Sequence, residues 1–437
     1  MEFSKSETRD VTSPQMEAST YSKVTWRLLP FLFLCYIFCF LDRVNVGFAK
    51  LQMQQQLGFS DTVYGLAAGI FFIGYFLFEI PSNLMLEKVG ARRWIGRIMI
   101  TWGVVSCLTM FTNSARTFYI WRFLLGIMEA GFFPGIILYL TYWFPPKKRA
   151  QVTALFIAAN PVSGLIGGPL SGWIMENASG LFKLAGWQWL FLLEGVPSVI
   201  LGFVTLWYLD DRIATSKWLD DNEKKLLQYH IDTEKKEKVR HSLREGLLEW
   251  RVWIFALVYF CILAGMYGFS FWLPQMIKST GIKSLFLVGI LTAVPNAAAI
   301  IAMIYAGRSS DRKLERRWHT LIFGLIASLG LGLSAAYGAS TWAAVFAATV
   351  GVMGIMSTIT IYWSVPTAIL AGTASAGGIA LVNSFGNLAG FVSPYMLGYV
   401  KDATKSLAIG LYLLAALVAL GAILVVIYGP RRPQQVS

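Results

Sequence analysis

TFYIWRFLLGIMEAGFFPGIILYLT, residues 117–141, is apolar over the length a helix needs to cross a bilayer, yet it carries Arg122 and Glu129 near its middle. Seven residues is close to two helical turns, so both charges fall on one stripe. A charge at membrane depth costs about 2.5–3.5 kcal/mol on insertion scales and usually lines a polar cavity or pathway. A second pair, Asp42 and Arg43, interrupts the first apolar run in the same way. Two acids and two bases in one half of a membrane chain point to chemistry with protons and anions.

The whole chain follows this pattern. Of 437 residues 56% are hydrophobic and only 14% charged, with a mean hydropathy of +0.57. A soluble domain would carry about 25% charged residues, so the class is a polytopic all-α membrane protein. Windows of ~20 apolar residues predict twelve spans, near 28–48, 62–83, 94–113, 117–141, 151–175, 187–209, 251–275, 285–307, 319–338, 341–365, 373–399 and 405–428. They imply a tail (1–27), a six-helix bundle (28–209), a charged linker (210–250), a second pseudo-symmetric six-helix bundle (251–428) and a short tail (429–437). The net charge of +13 is not clustered for nucleic acid. Lys and Arg concentrate in alternate loops and in the linker, which by the positive-inside rule places both termini and the linker in the cytoplasm. The first apolar run is too long for a signal peptide's core and reads as the first span. Cys35, Cys39, Cys107 and Cys261 lie in apolar runs without disulfide or zinc spacing, and neither a metal nor a cofactor is expected.

An internal repeat relates the halves. Glu87-Lys88-x3-Arg92-Arg93 follows the second span, and Asp311-Arg312-x3-Arg316-Arg317 follows the eighth, 224 residues later. Gly164-x3-Gly168-x3-Gly172 in the fifth span is echoed by Gly386-x3-Gly390 in the eleventh, a spacing that lets helices approach closely. Duplicated halves suit a carrier that rocks about a site held between them. The repeated loop motif resembles the signature of the major facilitator superfamily, departing from it at Asn83 and Leu314, where glycine is usual. Phe40-Leu-Asp-Arg-Val-Asn45, Ile80-Pro-Ser-Asn83 and Arg122-x6-Glu129-Ala-Gly-Phe132 are similar to the anion:cation symporter branch. Trp187-Gln-Trp-Leu-Phe-Leu-Leu-Glu194 and Trp218-Leu-Asp-Asp221 most resemble its tartrate and aromatic-acid members. The resemblance implies proton-coupled uptake of a small organic anion through the inner membrane.

On this reading Arg43 and Arg122 bind the substrate carboxylate through their planar guanidinium forks, and Asp42 and Glu129 carry the proton. Protonated acids would leave the arginines uncompensated, so anion and proton loading favour each other. Tyr75 and Asn160 match substrate-contacting positions of the resembled branch, and Asn383 and Asn387 offer polar contacts from the second half. Tyr267, Phe271, Trp272, Tyr362 and Trp363 are candidates to wall an aromatic substrate. Glu87, Arg92, Arg93, Asp311, Arg316 and Arg317 are expected to form a cytoplasmic gate. The partners expected are an organic anion, a proton and lipid, acting on a monomer. Exchange without proton coupling, a transporter-like sensor, and a purely structural Arg122–Glu129 pair remain open. No nucleophile elbow or phosphate loop points to an enzyme.

Overall fold

The computed structural model describes residues 14–237, 249–369 and 375–429; the remainder of both tails and part of the linker lie outside the described residues. Eleven helical segments among the described residues are long and apolar enough to cross a membrane. The eleventh expected window is covered by two helices in series, Ser375–Asn387 and Ala389–Thr404, joined through Leu388 in helical conformation.

In chain order the helices are α1 (Pro14–Val44), α2 (Val46–Leu57), α3 (Asp61–Val89), α4 (Ala91–Leu108), α5 (Ala115–Glu129), α6 (Phe132–Thr141), α7 (Pro146–Ile157), α8 (Ala159–Asn177) and α9 (Gly186–Tyr208). The linker helix α10 (Asp221–Glu237) leads on to α11 (Trp250–Lys278), α12 (Leu285–Lys313), α13 (Arg317–Tyr337), α14 (Thr341–Tyr362), α15 (Ser364–Ile369), α16 (Ser375–Asn387), α17 (Ala389–Thr404) and α18 (Ala408–Tyr428).

Two boundaries differ from the sequence reading, each for a physical reason. The expected polar tail is helical from Pro14, with Thr20, Tyr21 and Val24 buried and the helix tied to the linker. There the Tyr21 hydroxyl meets His230 at 2.9 Å and Lys23 pairs with Glu223 at 2.7 Å. The 117–141 run is not one rod. It breaks at Ala130 and Gly131, whose φ of 85° is easy only for glycine. A Cβ on Gly131 would also sit 2.4 Å from Ser82 Oγ. The break falls directly after Glu129.

The first six spans meet the last six along two long seams, α8 on α12 and α3 on α17, with α2 against α11 between them. The glycine row of α8 lies in the first seam. A Cβ on Gly168 would stand 2.6 Å from Gly289 O, and one on Gly65 in the second seam 2.3 Å from Pro394 O. Small residues at these positions are what let the backbones approach so closely.

At the end of the bundle away from the linker, charge ties the seams together. Lys50 of α2, almost wholly buried, pairs with Asp61 at 2.7 Å and lies 3.4 Å from the centre of the Trp272 ring. Lys401 reaches the other Asp61 oxygen at 3.1 Å. Asp402 accepts from the Asp61 and Thr62 amides at 3.2 and 2.7 Å. An apolar window ends at this lysine, whereas the helix runs on to Leu57 and carries Lys50 into the cluster.

Candidate functional site

Arg43, Arg122 and Glu129 come together at the centre of the bundle, all three essentially buried. Arg122 and Glu129 share a stripe of α5 without pairing. Glu129 instead accepts from Arg43 of α1: Nε donates to Oε1 at 3.0 Å, and Nη2 donates to the same oxygen. The Cys39 thiol, one turn back on α1, donates to it as well, at 3.2 Å. Oε2 has no partner among the described residues. Three donors crowd one oxygen and leave the other bare.

The Arg43 guanidinium lies 5.2 Å from the Phe71 ring centre and 5.3 Å from that of Tyr75, both on α3. Arg122 lies at 5.2 Å from the same Phe71 ring, so one aromatic ring separates two cations, each gaining from its negative face. Arg122 donates from Nη2 to Arg43 O at 3.2 Å and from Nε to Ala67 O at 3.4 Å, while Nη1 is without a hydrogen bond. It fixes the backbone that carries Arg43.

Asp42 is not brought into this group. Consecutive helical residues point ~100° apart, and Asp42 faces α4 and α9. It accepts from Trp102 Nε1 at 3.0 Å, Ser106 Oγ at 2.6 Å and Ser198 Oγ at 2.6 Å. The structural partner of each acid was hidden because the sequence gives depth along a helix more readily than azimuth.

The remaining candidates divide between roles. Tyr75 stands under Arg43, as noted. Asn160 lines a neighbouring cleft between α1, α8, α11, α12 and α14, with Asn45, Ser163, Ser171, Ser270, Thr292 and Asn296 as its other polar walls. Asn383 does not face an open space: its Nδ2 donates to Glu79 Oε1 of α3 at 3.2 Å. Asn387 accepts from the Tyr267 hydroxyl at 3.0 Å and donates to Asn383 O at 3.0 Å. Of the aromatic candidates, Tyr267 packs 4.4 Å from Phe72 beside the site, whereas Trp272 is engaged by Lys50. Tyr362 stacks on Tyr259 at 5.2 Å and donates to Phe255 O, so it packs within the second half. Glu194, at the back of the cleft, accepts from Ser171 at 2.7 Å.

The repeated loop motif forms no ion pair between its copies among the described residues. Asp311 pairs with Arg316 inside its own loop, at 2.5 Å. The Arg92 amide donates to Asp211 of the linker at 2.8 Å, while Glu87 and Arg93 are exposed. Arg317 has a buried Nε without a partner. Leu314 sits at φ 50°, where the resembled motif carries glycine. A non-glycine residue there stores about 1 kcal/mol or more of strain.

Residues 32–394 match the family model of the Major Facilitator Superfamily. The chain belongs to this family. It is a multi-pass membrane transporter and not an enzyme. It is 49% identical to the "Putative tartrate transporter" of Agrobacterium vitis, over 98% of this chain and 95% of that one. Identity to the "Inner membrane transport protein RhmT" of Escherichia coli is 37%, over 91% and 92%. In fold it is similar to the D-xylose-proton symporter, with a TM-score of 0.73 at 13% identity, over 93% and 98% of the two chains. The relatives agree with the anion:cation symporter branch that residues 40–45, 80–83 and 122–132 resemble.

Proposed function

We propose that this facilitator-family transporter takes up a small organic anion together with protons, by alternating access. The observation that carries the reading is the Arg43–Glu129 contact, in which an internal carboxylate occupies the guanidinium that a substrate carboxylate would need. Ionised, Glu129 neutralises Arg43 and an arriving anion finds little attraction. A proton taken up at the bare Oε2 removes that compensation, and Arg43 becomes a free fork for the anion. The anion then holds the loaded state until both are released. Arg122 supports Arg43 from behind, Tyr75 and Asn160 contact the cargo, and Asp42 is a second acid that a proton can reach.

The name of the 49%-identical relative supports a hydroxy-dicarboxylate over an aromatic acid. Residues 28–209 and 251–428 act as the two moving bodies, joined by the linker at 210–250. Both termini and the linker face the cytoplasm of an inner membrane, so the Lys50–Asp61–Lys401 cluster closes the outer end. The arginine motifs guard the inner one. The carrier acts as a monomer.

Reconstituted protein should accumulate tartrate against its gradient when the outside is acidified. Glu129→Gln is expected to lose this accumulation and keep tartrate counterflow. Equal accumulation with and without the pH gradient would make the protein an exchanger or uniporter.

A further inference from the structure

Glu79 is a third buried acid that the pathway above leaves unused. It lies on α3, 5% exposed, four residues or about 6 Å of rise from Tyr75, whose ring is 5.3 Å from the Arg43 guanidinium. Its two oxygens accept from the second half of the molecule: Oε1 from Asn383 Nδ2 at 3.2 Å and Oε2 from Ser384 Oγ at 3.3 Å, both on α16. The arrangement repeats that of Glu129. In each case an internal carboxylate of the first half engages donors that suit a bound carboxylate. The donors differ in kind, a cation on α1 at Arg43 and a neutral amide and hydroxyl on α16 at Asn383–Ser384.

We propose that Asn383 and Ser384 form a second anion subsite, for the distal carboxylate of a dicarboxylate, and that Glu79 fills it as an internal stand-in until it is protonated. This rests on the proton-coupled reading above and deepens it by naming a dicarboxylate as cargo. Among the described residues, the charged and titratable groups that reach Glu79 are Arg43 from α1, Tyr75 on α3 itself and Tyr259 from α11, and α16 presents the two neutral donors. Protonation removes the charge that holds Glu79 to those donors. The distal carboxylate takes them over, and because they belong to the opposite half, the anion bridges both moving bodies.

The test compares tartrate with glycerate, a hydroxy-monocarboxylate lacking the second anionic end, in proteoliposomes clamped at zero membrane potential. Glu79→Gln should still exchange tartrate, yet its accumulation ratio should fall by about tenfold per unit of pH gradient, the loss of one coupled proton. Asn383→Ala and Ser384→Ala, alone and together, should raise KM for tartrate by about tenfold or more while KM for glycerate stays within about twofold. Wild-type accumulation by Glu79→Gln, an equal change for the two anions, or transport of glycerate without tartrate would overturn the proposal. Should Glu79→Gln not fold, the α16 variants decide through the tartrate-to-glycerate ratio. A wild-type protein that accumulates neither anion on a proton gradient would overturn the symport reading and this subsite with it. Driven tartrate uptake with insensitive α16 variants would overturn the subsite alone.

Discussion

Asp42 and Glu129 are both carboxylates with no exposed surface, at similar depth in the same bundle, yet their surroundings differ in kind. Asp42 is held by Trp102, Ser106 and Ser198, three neutral donors on packed helices. Two of these are hydroxyls, which can reverse and accept when the acid is protonated. Glu129 faces an arginine that can only donate, and one of its oxygens is left bare. Protonating Asp42 rearranges hydrogen bonds within the first half; protonating Glu129 releases a cation into the centre of the protein. Burial therefore does not distinguish a working acid from a quiet one. On the proposed mechanism the partner does, because only the second change would alter what a passing anion experiences.

The largest expected effect tests the cation. Arg43→Ala removes the counter-charge proposed for the substrate and leaves Glu129 buried without a charged partner, a change worth about 3–5 kcal/mol. Tartrate counterflow should fall by about 100-fold or more, and activity near wild type would dissolve the distinction between the two acids. A third buried charge sharpens it from outside the site. Lys50→Met strips a cation from the proposed outer seal while Asp61 keeps Lys401. With the other three cysteines replaced, Cys39 beside Glu129 should be labelled about tenfold faster by an impermeant thiol reagent added outside. An unchanged rate would mean that Lys50 does not hold that end closed.

The smallest effect is expected at Asp42. Asp42→Asn directs an amide N–H toward donors and should lower stability by about 1–3 kcal/mol, seen as a drop in Tm in detergent. Its KM for tartrate counterflow should stay within about threefold of wild type. A shift as large as that of Arg43→Ala would place Asp42 in the anion site after all.

Much of this was legible before any coordinates. Apolar windows located the spans because a bilayer admits only satisfied backbone, and that constraint is written in composition. The Arg122 and Glu129 spacing gave a shared stripe, and the glycine row of α8 gave a close seam. What could not be read was which way each charge turns. Asp42 and Arg43 are neighbours in sequence and were assigned to one chamber, but helical geometry sends them to different sides. Arg122 and Glu129 share a face, yet Glu129 reaches across to α1. The partners of Lys50 and Glu79, Asp61 with Lys401 and Asn383 with Ser384, come from helix pairings that only tertiary packing fixes.

The central claim is that a proton on Glu129 frees Arg43 for the anion, and the dependence of tartrate affinity on pH measures it directly. Wild-type affinity should weaken as pH rises, by about tenfold per unit for each linked carboxylate that ionises. Glu129→Gln should bind at least as tightly at low pH, with a profile shallower by one such step. A Glu129→Gln profile as steep as wild type would contradict the account, because the proton that governs binding would then reside elsewhere.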